Sequence, residues 1–361
     1  MNENILLPNY ARTAAIDANL ERTERAAWTI ERVSLPAKQF VWFQRDVSVR
    51  RAAATTAIEG AHLNEAQVRE LFDAHKQAKL TDDELVNINA ASAYEFVDFL
   101  SDQEEVALDE LAIWELHRKF LAGTNDLHTP GYYRKGQNLV GIYTPPDQGD
   151  VPELMRAFAN WLRTDNGEIN PLLRAGIAHL ELVAVHPFWD GNGRVSRALA
   201  TLVLQRSRFR FKNLLSLERY MYAVRDESYI PAIERTLGER YARGYDATPW
   251  LEFFTTALRV EAERLADELV EWNQAVVRLQ EKFDAMRLNR RKSEGLIYAF
   301  RSGRISRPGY IEVTGATPGT ASRDLAELSE LGLLIPQGET KGRVYTFNRD
   351  ALGPDWLERQ S

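Results

Sequence analysis

Apolar residues recur at intervals of three and four through most of the chain, the period of helices that bury one face. Residues 12–45 show it with Ala15, Ile16, Leu20, Ala27 and Ile30, and read as one or two amphipathic helices. An alanine-rich run over 46–60 reads as a separate helix that Gly60 stops. The same period predicts helices over 71–100, 109–121, 151–162, 172–185, 194–206, 217–225, 229–237 and 248–258, then a long charged helix over 259–284. The predicted fold class is therefore mainly α. Only 129–146 departs from it: Pro130, Gly131, Gly136, Gly141, Pro145 and Pro146 interrupt helices, and Leu139-Val140-Gly141-Ile142-Tyr143 carries a short strand signal. His75, His117 and His179 fall within predicted helices and read as structural, while Asn87 and Asn89 suggest buried hydrogen bonds.

No apolar run approaches the ~18 residues of a membrane span, and the N-terminus lacks a basic region followed by an apolar stretch. The expectation is a cytoplasmic protein without membrane contact. A chain of 361 residues suggests two or three domains, and 44% apolar with 27% charged residues is ordinary for a globular protein. The absence of cysteine excludes disulfides and thiolate metal sites. A net charge of −7 argues against a surface that coats nucleic acid throughout. That charge is uneven: 287–348 holds ten Lys/Arg and six Asp/Glu, a net of +4, which leaves −11 for the rest. The order there is helix (293–301), helix (307–313), a turn at Thr314-Gly315, helix (318–331), strand (333–335), glycine-containing loop (337–343) and strand (344–347). It resembles a winged helix-turn-helix. Thr317, Thr320, Ser322 and Arg323 would open the recognition helix, with Lys341 and Arg343 in or beside the wing. A small protein-interaction or dimer module is the alternative, because the positive balance is modest. DNA held through 287–350 and a homodimer both stay open.

The stretch His186-Pro-Phe-Trp-Asp-Gly-Asn-Gly-Arg-Val-Ser-Arg197 concentrates the chemistry. It places a titratable base, a carboxylate, a glycine-flanked turn and two arginines within twelve residues. Pro187 should end the preceding helix. Gly191 and Gly193 free the backbone so that amide N–H groups converge on an anion, and the next helix adds the positive end of its dipole. Arg194 and Arg197, three apart on one face, can both reach a polyphosphate. His186 is the residue able to shuttle a proton near neutral pH, and Asp190 is a hard carboxylate suited to Mg²⁺. Asn192 and the amides around Gly191 and Gly193 would hold a phosphate oxygen as charge builds on it. Far upstream, Glu59 sits in the last turn of its helix, where a carboxylate opposes the dipole. Such a conflict calls for a partner, and an arginine is the obvious candidate.

The stretch at 186–197 resembles the signature of the Fic (filamentation induced by cAMP) family, His-Pro-Phe-x-(Asp/Glu)-Gly-Asn-Gly-Arg-x-x-Arg, at every fixed position. Thr55, Glu59 and Gly60 resemble the family's inhibitory helix motif, (Ser/Thr)-x-x-x-Glu-(Gly/Asn). The resemblance implies that Glu59 pairs with Arg197 and fills the space of a γ-phosphate. It implies ATP as donor and a Tyr, Thr or Ser hydroxyl of a protein as acceptor, that is, AMP transfer by a nucleotidyltransferase. It also implies a β-hairpin flap at 129–146 entered through Gly131-Tyr132-Tyr133-Arg134, able to hold a target by strand addition. Tyr229 would help wall the nucleotide's base pocket or serve the core, and Glu59 would position water to remove AMP from a modified target. The competing expectation is a DNA-binding regulator whose Fic core only senses nucleotide. The expected domains are an N-terminal helical region (1–105) carrying the inhibitory helix (46–60), a Fic core (106–258), a connector (259–286), the winged helix (287–350) and a tail (351–361).

Overall fold

Helices dominate the computed structural model, which describes residues 8–73, 80–103, 105–124, 130–164, 167–338 and 342–352. The chain divides into two units at 269/270. The first holds α1 (Ala14–Arg32), α2 (Ala37–Ile58), α3 (Glu65–Asp73), α4 (Asp82–Ser101), α5 (Glu110–Phe120), α6 (Val151–Arg163), α7 (Pro171–Val185), α8 (Asn192–Gln205), α9 (Leu217–Ala223) and α10 (Ile230–Leu237). Their starts are legible in side chains. Thr13, Thr81, Asp109 and Asn170 each accept a hydrogen bond from a first-turn N–H, and Glu84 completes a capping box with Thr81.

The core centres on α7 and α8, which pack against each other. Both are buried over nearly all their residues, as expected of helices that are apolar on more than one face. Gly176 lets another helix approach α7: a Cβ there would lie 2.7 Å from the Phe254 ring, and Trp250 donates its indole N–H to the Gly176 carbonyl at 2.8 Å. The two asparagines of α4 are buried and bonded. Asn87 accepts from the Thr56 hydroxyl and donates to Asp83 O, and Asn89 donates to Ala122 O.

Several boundaries differ from the sequence reading. No break separates 46–60 from what precedes it: α2 runs on from Pro36 because no glycine or proline intervenes before Gly60, whose φ of +97° ends it. The predicted helices at 248–258 and 259–284 are one, α11 (Thr248–Ala285), since the apolar series Leu258, Ala262, Leu265, Leu269 continues across the expected boundary. The strand expected at 139–143 is absent. Val140 and Tyr143 instead bridge tightly around Gly141 (φ +60°), too short a run between breakers to form a ladder. The segment pairs further on, where Thr144 donates to Glu239 O and accepts from Tyr241 N. Between α9 and α10 a wide turn spans Arg225–Tyr229, with Tyr229 N bonded five residues back to Val224 O.

The second unit holds α12 (Arg290–Ser302), β1 (Arg304–Ser306), α13 (Arg307–Thr314), α14 (Pro318–Glu330), β2 (Leu334–Gln337) and β3 (Val344–Phe347). The strands form one antiparallel sheet in the order β1-β3-β2, with Ile305 opposite Tyr345 and Leu334 opposite Phe347. β1 is three residues long, below the length at which alternation can be read from sequence. Gly295 admits the Tyr310 ring, which a Cβ would meet at 2.3 Å; the Tyr310 hydroxyl donates to Asp324, itself paired with Arg291. His75, Lys341 and the tail from 353 lie outside the described residues. No helix among the described residues is long and apolar enough to cross a membrane.

Candidate active site

The loop from α7 to α8 carries the signature, and its backbone is shaped for the task. His186 caps α7 in the left-handed region (φ 50°, ψ 57°), a conformation that a non-glycine side chain adopts only when its surroundings enforce it. Its N–H closes on Leu182 O, Arg134 N donates to Pro187 O, and the buried Arg134 guanidinium donates to His186 O at 2.9 Å. Gly191 (φ +79°) caps α8, so the N–H groups of its first turn open outward without helical acceptors.

His186 Nδ1 lies 3.4 Å from Val183 O. With its proton directed there, Nε2 keeps the free lone pair. Burial drives the imidazole pKa down to about 4, and the positive charge of Arg134 adds to that; the Val183 carbonyl and the carboxylates of Glu59 and Asp190 oppose it only in part. The ring is neutral at physiological pH. Asp190 is exposed, and its Oδ2 receives Arg194 Nη2 at 2.6 Å. Burial alone would raise its carboxyl, but Arg194 and the Gly191 N–H outweigh that and hold it below the ordinary carboxylate value.

Arg197 is 2% exposed and fully engaged. Its Nε donates to the Thr55 hydroxyl at 2.9 Å, Nη2 to Thr55 O at 3.0 Å, and Nη1 to the Tyr229 hydroxyl at 3.3 Å. Glu59 completes the set, with Oε1 2.6 Å from Arg197 Nη2. Burial would lower the guanidinium pKa, but Tyr229 and Glu59 raise it above the ordinary value. The same Glu59 oxygen stands over α8: a Cβ on Gly193 would lie 2.5 Å from it and 3.0 Å from Arg197 Nη1. Only glycine at 193 leaves room for a carboxylate on that backbone.

Three expected nucleotide contacts are already engaged within the protein. Asn192 was expected to offer its side chain to a phosphate, yet Oδ1 accepts from Phe188 N at 3.0 Å and Nδ2 donates to Phe188 O at 2.9 Å, so both ends clamp the loop. Arg194 and Arg197, expected to serve one polyphosphate, are each held by a carboxylate, Asp190 and, as expected, Glu59. Arg194 Nε stays buried with no partner among the described atoms. Tyr229 stands in the core, 2% exposed, and its hydroxyl bridges Arg197 to His179 Nε2 at 3.1 Å. His179 stacks on Trp250 in the core. Beside the signature a cleft of about 460 Å³ opens, lined among others by Glu59, Gly60, Asp83, Val86, Asp190 and Arg194. That is the size of a small-molecule site.

Sequence reasoning missed two residues. Arg134 lies in the recognised Gly131-Tyr132-Tyr133-Arg134 stretch, but nothing in its spacing told that it would bind the signature backbone. His117 on α5 touches Asp190 O and Gly131 N; a histidine within an amphipathic helix carries no such signal.

Fold and site together define a helical protein built around a glycine-flanked turn at a helix start, with a neutral imidazole beside it and a carboxylate seated on its arginine. Residues 107–204 match the sequence profile of the Fic/DOC family. A protein adenylyltransferase Fic of Drosophila willistoni is 30% identical over 215 residues, 56% of this chain and 42% of that one. A namesake from Aedes aegypti is 28% identical over 258 residues (68% and 51%), and protein adenylyltransferase fic-1 of Caenorhabditis elegans is 35% identical over 161 residues (43% and 31%). The chain thus spans about half or less of the length of these curated relatives. Among solved structures, a Fic family protein from Desulfovibrio desulfuricans G20 superposes with a TM-score of 0.61 at 22% identity, covering 95% of this chain and 98% of that one. Fic-1 (residues 134–508) from C. elegans gives 0.55 at 24% identity, covering 70% and 72%.

Proposed function

We propose that the protein transfers AMP from ATP to a Tyr, Thr or Ser hydroxyl of a protein, and that Glu59 inhibits this by occupying Arg197. The observation that carries the reading is the Glu59 carboxylate, an anion already seated against Arg197 and the first turn of α8, where a terminal phosphate would bind. His186, neutral, accepts the proton of the target hydroxyl through Nε2. The hydroxyl oxygen forms a bond to the α-phosphorus, the bond from that phosphorus to the bridging oxygen breaks, and pyrophosphate leaves. First-turn amides of α8 hold the α-phosphate oxygens as negative charge grows. Once Glu59 withdraws, Arg197 neutralises the terminal phosphates, and Arg194, whose buried Nε has no partner among the described atoms, lines the adjoining cleft. Asn192 contributes by fixing the turn.

Asp190 fits Mg²⁺: it is a hard, ionised oxygen donor at the cleft, and its exposed carboxylate leaves room for further ligands. Among the described residues no cluster of three or more such ligands exists, so the phosphates and water would complete its coordination. When bound, the ion neutralises phosphate charge.

With α-labelled ATP and Mg²⁺, Glu59→Gly should raise label incorporation into the protein at least tenfold, the factor expected from removing one charge-assisted bond worth ~1.5–3 kcal/mol. Incorporation at the wild-type level would end the inhibition claim. Glu59, whose charge reaches His186, is also placed to orient water for removal of AMP. A modified target should then lose AMP to the wild type and keep it with the variant; equal release would refute that second activity.

A second role belongs to residues 287–350. The N-terminal half of α14 exposes Thr317, Pro318, Gly319, Ser322 and Arg323, and its first acidic residue, Asp324, is buried. A helix face free of acidic side chains on a unit of net positive charge fits duplex DNA in the manner of a winged helix-turn-helix.

A further inference from the structure

His117 stands on α5, outside the signature, yet both of its ring nitrogens are committed to segments that border the reacting space. Gly131 N donates to Nδ1 at 2.7 Å. Nδ1 must therefore hold a lone pair, and the ring proton sits on Nε2, which lies 3.0 Å from Asp190 O and donates to it. The backbone fixes the tautomer, because an amide N–H can only donate. The ring is 3% exposed, stacks on Phe188 with centroids 3.8 Å apart and planes 12° apart, and lies so close to Gly191 that a Cβ there would meet it at 3.3 Å. One rigid imidazole thus ties the entry to the 131–146 segment to the backbone of the residue that carries the cleft carboxylate.

We propose that His117 is a positioning residue: it sets the distance between the target-holding segment and the phosphate-holding turn, and so between the incoming hydroxyl and the α-phosphorus. The proposal rests on the transfer reading above. A misplacement of about 1 Å between reacting groups costs up to about a hundredfold in rate. In the Glu59→Gly background, His117→Phe keeps the stack on Phe188 and loses both hydrogen bonds. Its kcat for AMP transfer should fall about ten- to a hundredfold, with the KM for ATP changed less than about threefold. The conservative variants separate the two bonds. In His117→Asn the amide oxygen stands near the place of Nδ1 and can accept from Gly131. In His117→Gln the amide nitrogen stands near the place of Nε2 and can donate to Asp190 O.

Hydrogen exchange of the full chain reads the joint without reference to activity. His117→Phe should speed exchange in both 130–136 and 186–193, Asn should protect only the first segment and Gln only the second. Unchanged exchange in both segments of a folded His117→Phe, or the same change in all three variants, would overturn the clamp. Should the variants not fold, the nitrogen spectrum of the wild-type imidazole decides: the proposal requires a bare Nδ1, and a protonated Nδ1 refutes it. If the exchange pattern holds while Glu59→Gly transfers no AMP, the transfer reading fails and with it the catalytic purpose of the clamp, but not the joint itself.

Discussion

In the proposed reaction His186 owes its role to crowding. A solvated histidine would be half protonated near pH 6.5, but burial lowers this one to about 4 and keeps it an acceptor through the whole physiological range. The sign follows: the active form is the neutral one, present above the folded pKa and lost as pH falls through it. The acid limb of kcat/KM for Glu59→Gly should lie at about pH 4 or below, because the variant loses a carboxylate that raises the imidazole, and His186→Ala should cut transfer by about a hundredfold or more while ATP still binds. A limb near 6.5, or ATP binding lost with the imidazole, would make His186 a structural residue. Much at this scale was legible in sequence, because a motif prescribes residue types at fixed spacing. Which atoms stay free was not legible. Asn192 has the right chemistry for a phosphate oxygen, yet both ends of its amide are spent on Phe188, and only coordinates show that allocation. The pairing of Arg194 with Asp190 is an i,i+4 contact on one helix face and was in principle readable.

Among the elements, α2 supplies the carboxylate and the hydroxyl that hold Arg197. Its last turn delivers Thr55 and Glu59 to Arg197 across 142 and 138 residues of chain. The dipole conflict at Glu59 pointed to a partner but could not say which arginine. The bridge at 140–143 shows the opposite limit: β-forming side chains were present, but Gly141 folds the run back on itself before a ladder can start. A second polar tie joins α7 to the segment after α10, where Tyr245 donates to Glu181 at 2.9 Å. Burial raises the Glu181 carboxyl to about 7, against the opposing effect of that hydrogen bond. Here the folded state binds a proton that the unfolded chain has already released, so stability is lost as pH rises from the ordinary carboxylate value to about 7. Glu181→Gln keeps an acceptor for Tyr245 and should raise the Tm at pH 8 but not at pH 5. Equal shifts at both pH values would place the carboxyl in a solvated setting.

At the scale of the molecule, the two units differ in chemistry. The charge asymmetry was visible in sequence, and so was most of the helix order of the second unit; β1 escaped because three residues carry no pattern. The full chain should shift duplex DNA at about 50 mM salt and lose most of that binding by about 200 mM, since phosphate contacts release counterions. Arg323→Glu should weaken binding at least about tenfold at the lower salt. Retention that ignores both salt and Arg323 would make 287–350 a protein-interaction module.

The proposed function rests on one competition, in which Glu59 and the terminal phosphate of ATP would seek the same guanidinium. Calorimetric titration of the wild type and Glu59→Gly, each with ATP and with ADP in the presence of Mg²⁺, measures it without chemistry. Removal of the carboxylate should tighten ATP at least about tenfold and ADP distinctly less, because only the triphosphate reaches the vacated Arg197. Equal ATP affinity in the two proteins would contradict it.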